Sequence, residues 1–321
     1  MELRNLGRTG LQVSRLILGT WNFGKVATEE ESHDIIDRAY EAGITTIDTA
    51  NRYTRGKSEE IIGNWLVKKP GRRDRMVLAT KVYRTMGDWP NQGGLSARHI
   101  RESVEASLRR LRTDRIDLYQ LHHVDRTTPW EEIWQAMTVL VAQGKVLHVG
   151  SCNHAGWHLV QAQESAARRQ YPGLVSEQCL YNLAERTAER DIIPAARQYG
   201  LAVLPWSPLH GGMLAGVLAA NSDKGRRRRE SRAANTLLIK EKQVRAFEEL
   251  CATHGTAPAE VALAWLLSRP AVTAPVIGPR SVAQLDSSLR TLHVALPPDV
   301  LDALEHIFPG HTSPDAARQV P

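Results

Sequence analysis

The chain has 321 residues, of which 42% are hydrophobic and 24% charged, the balance of a folded globular protein rather than a disordered one. Its net charge of +6 and pI near 9.3 come without an aromatic-interleaved basic stripe or zinc-ligand spacing, so no nucleic-acid partner is expected and a phosphorylated small molecule fits the charge equally well. Cys152, Cys179 and Cys251 are too widely spaced for a disulfide framework; the polar start MELRNLGRTGLQVS and the lack of any run near the roughly 18 apolar residues of a membrane span lead to the expectation of a soluble, cytoplasmic protein.

Gly7 and Gly10 separate short apolar stretches in residues 1–15, the pattern of a hairpin ahead of the main fold. Residues 16–20 (LILGT) read as a first buried strand. Thr28 and Glu31 make a capping-box pair, and Ile35, Ile36, Ala39 and Tyr40 recur at helical spacing until Gly43. A β-branched run from Ile44 ends in Asp48, and the turn formers Asn51, Arg52, Thr54, Arg55 and Gly56 surround Tyr53. A helix over 57–67 and a strand over 76–81, ending in Lys81, come next. After a long loop, Ser96 caps a helix whose apolar face is Ile100, Val104, Leu108 and Leu111.

Residues 116–122 give a strand ending in His122. Thr128, Pro129 and Glu131 then predict an N-cap, a proline at the first helical position and a capping acid, and Gly144 closes that helix. Further strands are predicted at 146–152, 174–178, 201–206 and 274–278, with helices near 155–170, 188–199, 241–254 and 281–292. Two more helices, 258–267 and 298–307, read as additions. Eight strands alternating with helices imply an α/β fold, a (β/α)8 TIM barrel occupying 1–321 as a single domain, its lower end closed by the hairpin. No GxGxxG follows the first strand, so a doubly wound dinucleotide fold has no support. The longest irregular segment, 207–238, carries Arg226, Arg227, Arg228 and Arg229 after the seventh strand, where barrels often bind phosphate. Solvent exposure is the competing reading of such a run.

Asp48, Lys81 and His122 thus fall at the C-terminal ends of predicted strands, with Tyr53 just beyond the first. In a parallel barrel such ends meet on one face, where chemistry is found. In order, IDTANRY, LATK, DLYQLHH and GSCN resemble the catalytic regions of the aldo-keto reductase superfamily, and the resemblance covers nearly the whole chain. It implies an oxidoreductase that takes hydride from NADPH, since no side chain supplies one. By the same resemblance Tyr53 is the acid, Lys81 the cation that lowers its pKa, Asp48 the partner of Lys81, and His122 the group that orients the carbonyl or shares the proton. Trp21, Tyr53, His122 and His123 would line the substrate pocket.

The resemblance also implies a cofactor site. Gly19, Thr20, Trp21 and Asp48 would border the nicotinamide, Asn153 and Gln178 would bond its carboxamide, and Trp206 would stack on the ring. Cys152 stands where the family usually has serine, and a thiol donates weakly. Ser207, Leu209 and Gly211, within PWSPLHGGML, resemble the loop that meets the pyrophosphate. Gly278, Arg280 and Gln284 match the segment at the 2'-phosphate end, where Ser281 caps a helix whose N-terminus suits an anion. Ser287 and Ser288 replace the Glu and Asn common against the adenine. No metal site is expected.

Four longer stretches, LSARHIR, HHVDRTTPWEEIWQAM, GLVSEQCLYNL and IGPRS, look like the bacterial NDP-hexose 2,3-enoyl reductases of deoxysugar biosynthesis. They imply a nucleotide-linked keto sugar as substrate. Two alternatives stay open: a broad aldehyde or ketone reductase, and a cofactor-binding regulatory subunit resembling channel-associated β subunits.

Overall fold

The computed structural model describes residues 1–218 and 234–311. Strands β1 (Leu3–Asn5) and β2 (Gln12–Ser14) pair antiparallel as the expected hairpin. The parallel strands are β3 (Ile17–Gly19), β4 (Thr46–Asp48), β5 (Val77–Val82), β6 (Ile116–Leu121), β7 (Val146–Cys152), β8 (Leu174–Gln178), β9 (Ala202–Val203) and β10 (Val276–Ile277). Their order is β10-β3-β4-β5-β6-β7-β8-β9, so each lies beside its neighbour in sequence. Parallel bridges Val203 to Val272 and Trp206 to Val276 join the two ends, the Val276 N–H donating to the Pro205 carbonyl at 2.8 Å. The eight-stranded sheet therefore curls into a (β/α)8 barrel.

Outside it lie α1 (Glu29–Glu41), α2 (Lys57–Val67), α3 (Ala97–Leu111), α4 (Trp130–Ala142), α5 (Gly156–Arg168), α6 (Ile192–Tyr199), α7 (Ala234–Thr253), α8 (Pro258–Ser268), α9 (Val282–Arg290) and α10 (Pro298–Ile307). β5 and β6 are buried at every position, as strands covered on both faces must be. One apolar layer joins strands to helices and includes Leu78, Tyr119 and Trp134. A second fills the lower barrel with Ile17, Val77, Ala79, Leu118 and Val175, and the hairpin plugs it with Leu6 and Val13. Gly7 makes that plug possible: its φ is +58°, and a methyl group there would lie 2.4 Å from the Val175 carbonyl oxygen. Because side chains alternate along a strand, Ala79 is followed on its face by Lys81, and Leu118 by Gln120. The barrel interior thus changes from apolar to polar near its C-terminal mouth.

The capping box of Thr28 and Glu31 forms, and Ser96 and Ser281 cap their helices. Thr128 does not. Pro129 is the N-cap of α4, the Thr128 hydroxyl donates instead to Asp125 at 2.9 Å, and Glu132 rather than Glu131 reaches out, accepting from the Ala97 N–H at 2.8 Å. α6 starts later than predicted, after a 3-10 turn at Thr187–Glu189. α7 starts earlier, so helix already covers 234–238, which the sequence reading left irregular. The four arginines Arg226 to Arg229 lie outside the described residues. Among the described residues no helix is long and apolar enough to cross a membrane.

Candidate active site

β4 ends in Asp48 and β5 carries Lys81 one position before its end, and the barrel brings both side chains into its polar upper layer. Lys81 Nζ donates to Asp48 Oδ2 at 2.5 Å and to the Thr49 carbonyl at 2.9 Å. A buried ammonium needs such partners. Its third neighbour is the Tyr53 hydroxyl at 3.4 Å. Tyr53 is set there by a short 3-10 turn, Tyr53–Gly56, in which Thr54 and Arg55 take left-handed backbone with φ of 48° and 51°. The Thr54 hydroxyl ties this turn to the Phe23 carbonyl.

His122 follows β6, its N–H bonded to the Val82 carbonyl, and its ring centroid lies 6.0 Å from that of Tyr53. Burial, the Lys81 ammonium, His123 and Arg84 push its pKa down to about 2, so the ring is neutral. Its Nδ1 is buried with no hydrogen-bond partner among the described residues. His123 stacks on His122 with centroids 5.2 Å apart and planes 11° apart. Trp21, half exposed, meets Tyr53 edge-on at 5.0 Å. These side chains form one continuous patch on the barrel mouth.

The Tyr53 phenol departs from expectation. Burial raises its pKa to about 12, and the nearby Lys81 ammonium only partly opposes that rise. Tyr53 is therefore held protonated rather than tuned towards neutrality. Burial also works against the charge on Lys81, but its neighbours, the Asp48 carboxylate foremost, outweigh it and the ammonium is held more firmly than in water.

A second arc runs along β7, β8 and the segment after β9. Asn153, in left-handed backbone with φ of 60°, donates from its amide to the His122 carbonyl at 3.1 Å and accepts from Trp206 Nε1 at 3.0 Å. Its amide nitrogen also lies 3.1 Å from Cys152 Sγ. Burial keeps that thiol protonated. Gln178 donates to Asp48 Oδ1 at 2.8 Å, so it anchors the acid as well as facing this arc. The Ser207 hydroxyl accepts from the Gly211 N–H at 3.1 Å, winding the next loop back on itself beside half-buried Leu209.

The remaining sequence candidates sit on neighbouring strand ends. The Thr20 hydroxyl donates to the Asp48 carbonyl, and Gly19 is bare because a methyl there would meet Val276 Cγ1 at 2.7 Å. The Gly278 carbonyl accepts from Asn22, and Gln284 accepts from the Arg280 N–H at 2.9 Å. The Ser288 hydroxyl donates to the Gln284 carbonyl of its own helix, which uses its one proton. Arg280 and Gln284 do not touch the Tyr53 cluster; they lie at the start of α9. As a set these residues suit a nicotinamide dinucleotide: an indole anchored by Asn153, a wound glycine loop, and an arginine at a capped helix start with no carboxylate partner among the described residues.

Two participants escaped the sequence reading. Gln120 Nε2 donates to Asp48 Oδ1 at 2.8 Å, completing the cage around that carboxylate. Glu177 is fully buried, accepting from Ser151 Oγ at 2.5 Å and from the His154 N–H at 3.0 Å, and so pins the turn that carries Asn153. The signal for both was a polar residue in a strand that the barrel buries at every position.

Comparison with known proteins shows the family. Residues 15–308 match the model of the aldo/keto reductase family. An uncharacterized oxidoreductase, YrpG, of Bacillus subtilis is 49% identical, with 97% of each chain covered. Versiconal hemiacetal acetate reductase of Aspergillus parasiticus is 37% identical over 96% of this chain and 97% of its own. A probable voltage-gated potassium channel subunit beta of Oryza sativa is 32% identical over 96% of each.

Proposed function

The chain belongs to the aldo/keto reductase family and is an NAD(P)H-dependent oxidoreductase; from that premise we propose that it uses NADPH to reduce the ring carbonyl of a nucleotide-linked keto-deoxyhexose. The observation that carries the reductase reading is the buried Asp48 and Lys81 pair with the Tyr53 hydroxyl 3.4 Å from the ammonium, next to a neutral His122. NADPH, when bound, supplies the hydride. Tyr53 gives its proton to the carbonyl oxygen, and Lys81 stabilises the phenolate left behind. Asp48, itself held by Gln120 and Gln178, keeps Lys81 in place. His122 orients the carbonyl through its ring. Arg280 supports NADPH, and the four stretches that resemble sugar-nucleotide reductases support the substrate. The relatives include enzymes and channel subunits alike; the intact cluster favours turnover.

Replacing Tyr53 with Phe tests the role of the phenol. Turnover of a nucleotide-linked keto sugar or a simple aldehyde should fall by roughly 10² to 10⁴, the usual worth of a positioned acid, while NADPH still binds. Near-normal turnover in Tyr53→Phe would remove the assignment.

A further inference from the structure

The loops that follow β3, β4, β5 and β6 are cationic. They hold Lys25, Arg52, Arg55, Arg84 and Arg126 against the acids Asp88 and Asp125. Asp125 is engaged locally, accepting from the Leu95 and Thr127 N–H groups and from the Thr127 and Thr128 hydroxyls. None of the five cations has a carboxylate partner among the described residues, although many other arginines and lysines of the chain do. The residues assigned above to the cofactor come mainly from other loops.

Two of these cations are placed by rings that touch the catalytic pair. Arg84 Nη2 donates to His123 Nε2 at 3.0 Å, and His123 is the ring stacked on His122. Lys25 Nζ stands 4.9 Å from the centre of Trp21, the ring set edge-on against Tyr53. Arg84 makes no other hydrogen bond among the described residues, so most of its N–H groups face outward unmatched. A guanidinium fork of this kind suits phosphate or carboxylate oxygens.

We propose that Arg84 forms a subsite for an anionic group on the substrate, one ring beyond the carbonyl held by Tyr53 and His122, with Lys25, at the other end of the row of rings, adding to the positive field. The proposal rests on the reductase reading and narrows its substrate to carbonyl compounds that carry a phosphate or carboxylate. His123 serves as a spacer that sets the guanidinium at the edge of the pocket.

The test uses matched benzaldehydes bearing a carboxylate, a phosphate or a neutral methyl ester, with NADPH and the full chain. The wild type should show a higher kcat/KM for at least one anionic aldehyde than for the ester, and the phosphate and carboxylate arms tell which anion is read. In Arg84→Gln the ratio of anionic to neutral kcat/KM should fall about tenfold, the lower end expected for a charge-assisted bond. Arg84→Lys should recover part of it, and Lys25→Gln combined with Arg84→Gln should lower it further. A ratio that Arg84→Gln leaves unchanged, or an equal loss on all three aldehydes, overturns the subsite while leaving the reductase reading standing. No turnover of any aldehyde or of a nucleotide-linked keto sugar by the wild type would defeat both.

Discussion

Around the catalytic cluster, buried groups titrate against one another. Glu177 is raised to about 8 by burial, with Ser151 and the His154 N–H opposing in part. His122 and His154 are lowered to about 2 and about 4, chiefly by burial. A raised carboxyl adds stability below its unfolded value and loses it as pH rises through the folded one; a lowered imidazole adds stability above its unfolded value and loses it as pH falls. Between about pH 4.5 and 8, therefore, Glu177 alone tilts stability downward with rising pH, by up to about 1.4 kcal/mol per pH unit. Glu177→Gln mimics the protonated acid and can still donate to Ser151 and accept from His154. Its unfolding free energy, measured by denaturant across pH 5 to 8, should gain relative to wild type as pH rises. Parallel curves for the two proteins would mean that Glu177 is ionised throughout. Such residues mark where the sequence was hard to read. Asp48, Tyr53 and His122 were legible because each stands at or beyond a strand end, and Lys81 because its cation closes the run LATK, whereas Gln120 and Glu177, also one position before their strand ends, were passed over because only barrel closure reveals what they face.

Local rules carried furthest in the helices. A cap is a contact over three residues, so Thr28 with Glu31, Ser96 and Ser281 were readable from spacing alone. Thr128 was misread because Pro129 takes the N-cap position, one residue further on, and the Thr128 hydroxyl donates instead to Asp125. β9 and β10 shrink to two residues each, with single bridges carrying the pairing onward, since their ladder depends on the last step of closure. At α9 the local rule has a functional result. Ser281 accepts from the Gln284 N–H while Gln284 accepts from the Arg280 N–H, a reciprocal pair that fixes the backbone of Arg280 at the helix mouth. Its exposed guanidinium and the positive end of the helix then favour the same anion. Arg280→Ala should bind NADPH roughly 10- to 100-fold more weakly and NADH about as before, as read by fluorescence titration of each cofactor. An equal loss for both would assign the arginine to folding instead.

At the scale of the molecule, the barrel converts sequence order into angular order, so loops from successive strands form adjacent sectors of one rim. Five cations with no carboxylate partner among the described residues then stand in the sectors after β3 to β6, on a chain whose net charge is already +6. Charges separated by a rim act over distances that salt controls: the screening length shrinks from about 30 Å at 0.01 M to about 10 Å at 0.1 M. A rim of this sign should concentrate anionic substrates at its mouth and speed their capture. The kcat/KM for a phosphate- or carboxylate-bearing aldehyde should therefore fall as salt rises from 0.01 to about 0.3 M, more steeply than for a neutral ester of similar size. NADPH is anionic too, so it is kept saturating at every salt concentration, which removes cofactor capture from the comparison. Arg84→Gln should flatten the slope for the anionic aldehyde only in part, because Lys25 and the other rim cations still contribute to the field. Equal salt dependence for charged and neutral aldehydes would place the excess positive charge where substrate does not pass, and the rim would then serve solubility rather than capture.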